Sequence, residues 1–228
     1  MTKKILSILL LSSLVIISQN VIWETEFDFI KSNSSPRSVD LNGDNIEDIV
    51  FSGGVDGVPS PFGGIAIDGE SGETLWTVQN GNEWFLSTQY FDYNGDQIAD
   101  LIFGGRDAEM KLINGDNGNV IWEFWNNEGN PNDYGWYNFY NPQIINDQNG
   151  DNYPDFLCAN GGDHSLDPIE TDRPPGHIMI LNGSSGEILK NAVVPDSNET
   201  YMSPIFFEEK ILFGTGGESI EGNLWIAD

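Results

Sequence analysis

Basic side chains are scarce in this 228-residue chain: nine lysines and arginines stand against 36 aspartates and glutamates, for a formal net charge of −27 at pH 7. Such acidity argues against nucleic acid and anionic membrane surfaces as partners. Cysteine is nearly absent. Cys158 has no second cysteine to pair with, so no disulfide staples the chain, and its place in an apolar run reads as a small buried hydrophobe. Histidine occurs twice, at His164 and His177, too rarely for a zinc-binding cluster. No nucleophile elbow, phosphate loop or defined acid/base pair is present either. Helical periodicity is missing from the body of the chain, where Gly and Asn recur too often to sustain it. One apolar run, Ile5 to Ile17 behind Lys3 and Lys4, is too short to favour a membrane span. It reads as a secretory signal over residues 1–18, with a retained N-terminal anchor as the alternative, and the signal reading implies a secreted or cell-surface protein with no span in its mature part.

What the chain has in abundance is one short acidic pattern, present three times in register. The copies are Asp40-Leu-Asn42-Gly-Asp44-Asn-Ile46-Glu-Asp48, Asp92-Tyr-Asn94-Gly-Asp96-Gln-Ile98-Ala-Asp100 and Asp147-Gln-Asn149-Gly-Asp151-Asn-Tyr153-Pro-Asp155. Each puts oxygen-bearing side chains at positions 1, 3, 5 and 9, with Gly at position 4 for a tight bend. Carboxylates held about 5 Å apart repel by roughly 3 kcal/mol per pair at an effective dielectric near 20. A hard, oxygen-seeking cation removes that penalty, and Ca2+ suits the ligand set best.

An apolar strand and a Gly pair follow each loop: Ile49-Val-Phe51, Leu101-Ile-Phe103 and Phe156-Leu-Cys158. A fourth copy, Ile211-Leu-Phe213, is preceded by Phe206-Phe-Glu208-Glu209-Lys210 and has lost the acidic loop, so no ion site is expected there. The strands start at 49, 101, 156 and 211, a spacing of about 50–55 residues that fits propeller blades better than helical solenoids. A second repeated element runs strand, Asp/Asn-Gly turn, strand: Ile65 to Trp76, Lys111 to Trp122 and Ile178 to Leu189. Each is a hairpin signal. Every unit therefore holds four strands, A and B around the acidic loop, then C and D around the Gly-rich turn. The expected fold is all-β, a β-propeller of four-stranded antiparallel blades over 19–228. The blades fall at approximately 36–80, 87–126, 141–196 and 201–228, the last incomplete.

Val21-Ile-Trp23-Glu24 repeats Val120-Ile-Trp122-Glu123, so residues 21–27 read as a lone outer strand. That strand could complete the last blade and close a four-bladed ring. Alternatively, more blades follow, and the stop in mid-turn at Asp228 favours this larger propeller.

Loop chemistry separates the calcium families. An EF-hand needs Gly at position 6 and Glu at 12 between helices. Here position 12 is Phe51, Phe103 or Cys158, and strands flank every loop; dockerin-type loops fail on the same position. The three Asp-x-Asn-Gly-Asp-x-x-x-Asp runs with their following strands resemble the FG-GAP/VCBS repeat, the calcium-loop blade of integrin α-subunits and many bacterial surface proteins. The resemblance covers about 36–228. It implies Ca2+ held by Asp40, Asn42, Asp44 and Asp48, by Asp92, Asn94, Asp96 and Asp100, and by Asp147, Asn149, Asp151 and Asp155. The main-chain carbonyls of Ile46, Ile98 and Tyr153 would fill position 7. The hairpins ending in Trp76 and Trp122 look like the outer strands of quinoprotein-like propellers, without a constellation that would hold a quinone.

Blade topology puts the A–B loops and C–D turns on one face, and the B–C and D–A connections on the other. The second rim carries extra length and aromatics: Trp84, then Tyr134, Trp136, Tyr137 and Tyr140, then a long connection with His164 and Arg173. Such a rim suits recognition of an extracellular protein or glycan, with aromatic faces for sugar rings. The bland alternative is that these rings fill gaps between blades. The sequence therefore reads as a calcium-binding module. The competing reading is a calcium-dependent polysaccharide lyase of the rhamnogalacturonan type, or the non-catalytic part of a larger exported enzyme. A lyase would want Arg173 or Arg106 to neutralise a uronate.

Overall fold

The computed structural model describes residues 21–27, 35–55, 57–106, 109–124, 139–162, 175–216 and 222–228. They form fifteen strands in four separate antiparallel sheets. Blade I comprises β1 (Arg37–Val39), β2 (Asp48–Ser52), β3 (Ser60–Ile67) and β4 (Thr74–Asn80). Blade II is β5 (Trp84–Phe91), β6 (Asp100–Gly105), β7 (Met110–Ile113) and β8 (Val120–Phe124), and blade III is β9 (Phe139–Ile145), β10 (Asp155–Asn160), β11 (His177–Leu181) and β12 (Ile188–Val193). Blade IV has three strands, β13 (Ile205–Phe207), β14 (Lys210–Gly214) and β15 (Leu224–Ala227). Each sheet is a meander in chain order, every ladder antiparallel, which is the blade of a β-propeller.

The two-residue period of a strand decides how blades stack. In β6, Leu101 and Phe103 face blade I and join Val50, Ala66, Trp76, Val78 and Trp84 in one core cluster. Ile102, between them, faces the other way and joins Phe139, Phe156, Cys158 and Met179 of blade III. In β10, Phe156 and Cys158 face blade II, while Leu157 and Ala159 face blade IV and pack with Ile178, Ile180 and Phe213. Both β6 and β10 are buried along their whole length, as expected of a strand with a sheet on either side. Cys158 lies fully buried, its thiol donating to the Met110 sulfur at 3.7 Å across the interface, as the sequence suggests.

Three details differ from the sequence reading. The A strands of blades II and III start at Trp84 and Phe139, because Trp84, Leu86 and Phe139 are core residues, and register shifts absorb the extra length. Residues 21–27 carry no ladder among the described residues, so they are not a regular outer strand. Trp23 nonetheless docks on blade I, its indole N–H donating to Gly69 O at 3.1 Å. The C–D turns are longer than a two-residue Asp/Asn-Gly turn. Asp68 C=O accepts from Gly72 N–H and Asp68 N–H donates to Glu73 C=O, and the residue at positive φ is Gly72, at 78°, not Gly69. In blade IV, whose sequence has lost the acidic loop, β13 and β14 join through Glu208 and Glu209 at φ 49° and 59°. That tight turn stands where the other blades carry their acidic loop.

Candidate metal centre

The three acidic loops take one conformation, set by the chain's own N–H groups. At position 1, Asp40 accepts from Gly43 N–H at 2.8 Å and from Asn45 N–H at 2.9 Å. Asp92 accepts from Gly95 and Gln97 at 2.6 and 2.9 Å, and Asp147 from Gly150 and Asn152 at 2.7 and 2.8 Å. The position 3 amide oxygens of Asn42, Asn94 and Asn149 accept from the N–H of Asp44, Asp96 and Asp151. Asp44, Asp96 and Asp151 in turn accept from the N–H of Ile46, Ile98 and Tyr153 at 2.7, 2.8 and 2.9 Å. These are successive Asx turns. Position 4 needs Gly for its backbone alone: Gly43 sits at φ 76° and an added Cβ would meet nothing within 4 Å.

Position 9 has a further task. Asp48, Asp100 and Asp155 are all buried. One oxygen of each accepts from the N–H of Leu41, Tyr93 or Gln148 at 2.8, 2.7 and 2.7 Å. The other accepts from the N–H of Gly69, Gly115 or Gly183 in the C–D turn at 3.0, 3.3 and 3.0 Å. These aspartates therefore brace the A–B loop against the C–D turn. Those glycines have no room for a side chain, since a Cβ on Gly115 would lie 2.0 Å from Ala99 O and one on Gly183 1.8 Å from Pro154 O. Sequence pattern alone marked them as turn formers; close approach is what they serve. A second strut crosses the same gap: Asn42 donates to Asp68, Asn114 to Asp96 and Asn182 to Asp151, at 3.0, 3.1 and 2.8 Å.

Electrostatics separate Asp100 and Asp155 from Asp147 and Asp151. Burial pushes Asp100 up to about 6, against the N–H donors of Tyr93, Gly115 and Asn94, and burial raises Asp155 as well. Near the surface the N–H donors win: Asn152 and Gly150 lower Asp147, and Tyr153 lowers Asp151. Among the described residues, no group of three or more His, Cys, Asp or Glu side chains is disposed to hold a metal ion by itself. An ion in one of these loops would therefore draw on the Asn oxygen at position 3 and a main-chain carbonyl beside the carboxylates. Every such donor is oxygen, which fits a hard divalent cation such as Ca2+ rather than a thiolate- or imidazole-seeking metal.

The opposite rim is only partly described. Tyr134, Trp136, Tyr137, His164 and Arg173 lie outside the described residues. Trp84 is 1% exposed, its ring against Phe103 at 5.4 Å and its N–H on Glu109 at 2.7 Å. It fills the gap between blades I and II and has no face for a ligand. Tyr140 is half-buried between Phe85 and Tyr201, ring centroids 5.0 and 5.5 Å away. Arg106 pairs with buried Glu83 at 3.2 Å, which commits its charge internally.

Sequence reasoning overlooked the tryptophan relay. Trp23, Trp76 and Trp122 donate their indole N–H to Gly69, Gly115 and Gly183 carbonyls at 3.1, 2.7 and 2.8 Å, each reaching the C–D turn of the blade that follows it in the chain. The signal was legible in the shared spacing of Trp76 and Trp122 from their turns.

No protein-family model matches the chain, and no curated protein matches it. Among solved structures, the chain is similar to the crystal structure of BamB from Moraxella catarrhalis, with TM-score 0.44 and 14% identity over 76% of this chain and 42% of that one. The chain thus spans less than half the length of that structure.

Proposed function

We propose that this protein is an exported propeller module of FG-GAP/VCBS type whose three acidic loops bind Ca2+, and that it recognises an extracellular protein or glycan without performing chemistry. One observation carries the reading. Three loops separated by whole blades repeat the same set of Asx turns, with an all-oxygen donor set and no cationic side chain in any of them. Solvated turns with no shared task have no reason to keep positions 1, 3, 5 and 9 alike. The residues that would hold the ion are Asp40, Asn42 and Asp44, Asp92, Asn94 and Asp96, and Asp147, Asn149 and Asp151. The carbonyls of Ile46, Ile98 and Tyr153 and the bracing aspartates behind them complete the sites. A bound ion neutralises the mutual repulsion of the loop carboxylates, and the brace passes that gain to the C–D turn and so to the blade.

The lyase reading loses one of its two candidate cations, because Arg106 is engaged by Glu83. Calorimetric titration of Ca2+ into ion-stripped protein tests the proposal. Binding at about three sites, abolished loop by loop by Asp44→Asn, Asp96→Asn and Asp151→Asn, supports it; no heat of binding at millimolar Ca2+ refutes it. Glycan-array and lyase assays on the same sample separate module from enzyme.

A further inference from the structure

We infer that Tyr93 is a positioning residue that couples the second acidic loop to the third, so that occupancy of one site tightens the other. The inference rests on the calcium reading above and extends it from three sites to a linked pair. Tyr93 occupies position 2 of loop two. Its own N–H donates to Asp100, the bracing carboxylate of that loop, at 2.7 Å. Its side chain leaves the blade. The hydroxyl donates to Pro154 C=O at 3.1 Å, in loop three between Tyr153 and Asp155. The ring stacks on Tyr153 with centroids 6.3 Å apart and planes within 16°, and packs on Phe156 at 5.3 Å. It also closes over the C–D turn of blade III, where a Cβ on Gly183 would lie 2.7 Å from Tyr93 Cε1.

One side chain thus touches the residue at position 7 of loop three, the carbonyl at position 8 and the glycine whose N–H holds Asp155. Any closure of loop two that draws on Asp100 moves Tyr93, and with it the peptide before Asp155. Such linkage is reciprocal. The junction between loops one and two lacks it. Leu41 stands at position 2 there, fully buried and in contact with the Gly115 turn, with no polar atom to hold the Ala99 carbonyl. Sites two and three are therefore the coupled pair, and site one is the more independent.

The experiment uses the full chain with site one disabled throughout (Asp40→Asn, Asp44→Asn) and site two either intact or disabled (Asp92→Asn, Asp96→Asn). Calcium binding is read loop by loop from the amide resonances of Gly95 and Gly150, whose N–H groups donate to Asp92 and Asp147. With Tyr93 present, disabling site two weakens Ca2+ binding at Gly150 by about tenfold. With Tyr93→Phe, which keeps the ring and removes the hydroxyl, or Tyr93→Leu, which copies loop one, the same lesion changes it by less than about twofold. A merely structural tyrosine would lower stability and leave that dependence intact. An equal effect in all three backgrounds, or none with Tyr93 present, overturns the coupling. Failure of both resonances to shift at millimolar Ca2+ overturns the calcium reading itself.

Discussion

The indole N–H of Trp76 donates to the main-chain carbonyl of Gly115, 2.7 Å away on the next blade. Trp76 is buried, and its ring is packed so closely that a Cβ on Gly118 would sit 3.0 Å from it. Trp122 repeats the arrangement on Gly183 and Gly186, and Trp23 on Gly69 and Gly72. The latch thus recurs from blade to blade, as nearest-neighbour terms do in a repeat architecture.

Trp76→Phe should therefore cost about 1–3 kcal/mol, most of it from the Gly115 carbonyl left without its donor. Trp76→Ala should cost about 3–5 kcal/mol, because the ring's volume is lost as well. Urea unfolding of both variants checks this; equal, small losses would show that the hydrogen bond and the ring contribute little.

Two glycines of neighbouring elements should respond differently to alanine. Gly43→Ala meets open space and is opposed only by its φ of 76°, so a loss of about 1–2 kcal/mol is expected. Gly115→Ala would place a Cβ 2.0 Å from Ala99 O, where backbone has to shift, and should lower stability by well over about 3 kcal/mol or prevent folding. Comparing soluble yield and urea midpoint of the two variants tests the distinction between a conformational and a steric glycine.

Asp100 makes stability depend on pH in a stated direction. Its carboxyl is raised from 3.8 to about 6 in the folded protein, so the fold binds its proton more tightly than the unfolded chain does. That contribution is complete below about pH 4 and is lost as pH rises through about 6; Asp155, raised by burial as well, acts in the same direction. Asp147 and Asp151 are lowered, so they oppose this only in more acid solution, as pH falls below about 4. Ion-free protein should therefore lose stability, on the order of 2–3 kcal/mol, between about pH 4 and 6. Saturating Ca2+ favours the ionised carboxylate and should flatten the decline. Superimposable urea-unfolding profiles with and without the ion would contradict the reading.

Much of the blade was legible in the sequence because its elements rest on local chemistry. The apolar run Leu101-Ile102-Phe103 marked a strand and the Asp-x-Asn-Gly-Asp runs marked the loops, while only the packing shows which side chains face blade I and which blade III. What escaped is what depends on neighbours. Trp84 carried the same letters as a rim aromatic, and only the packing of Phe103 and Glu109 around it shows a core residue. Gly115 and Gly183 looked like ordinary turn glycines until Ala99 and Pro154 were placed against them. Tyr93 sat at a position where Leu41 and Gln148 are its counterparts, so nothing in one chain marked it out. Position 9 was foreseen as a ligand position, but its grip on the C–D turn lies in long-range N–H donors that no local pattern reveals.

Thermal unfolding of the ion-stripped chain, with Ca2+ added back in steps, tests the central claim most directly. Preferential binding to the fold raises the midpoint with concentration, by about 2.7 kcal/mol of stabilisation at a hundred times the dissociation constant. The account predicts a rising midpoint that Asp44→Asn, Asp96→Asn and Asp151→Asn together abolish. A midpoint indifferent to Ca2+ and to chelator would contradict it.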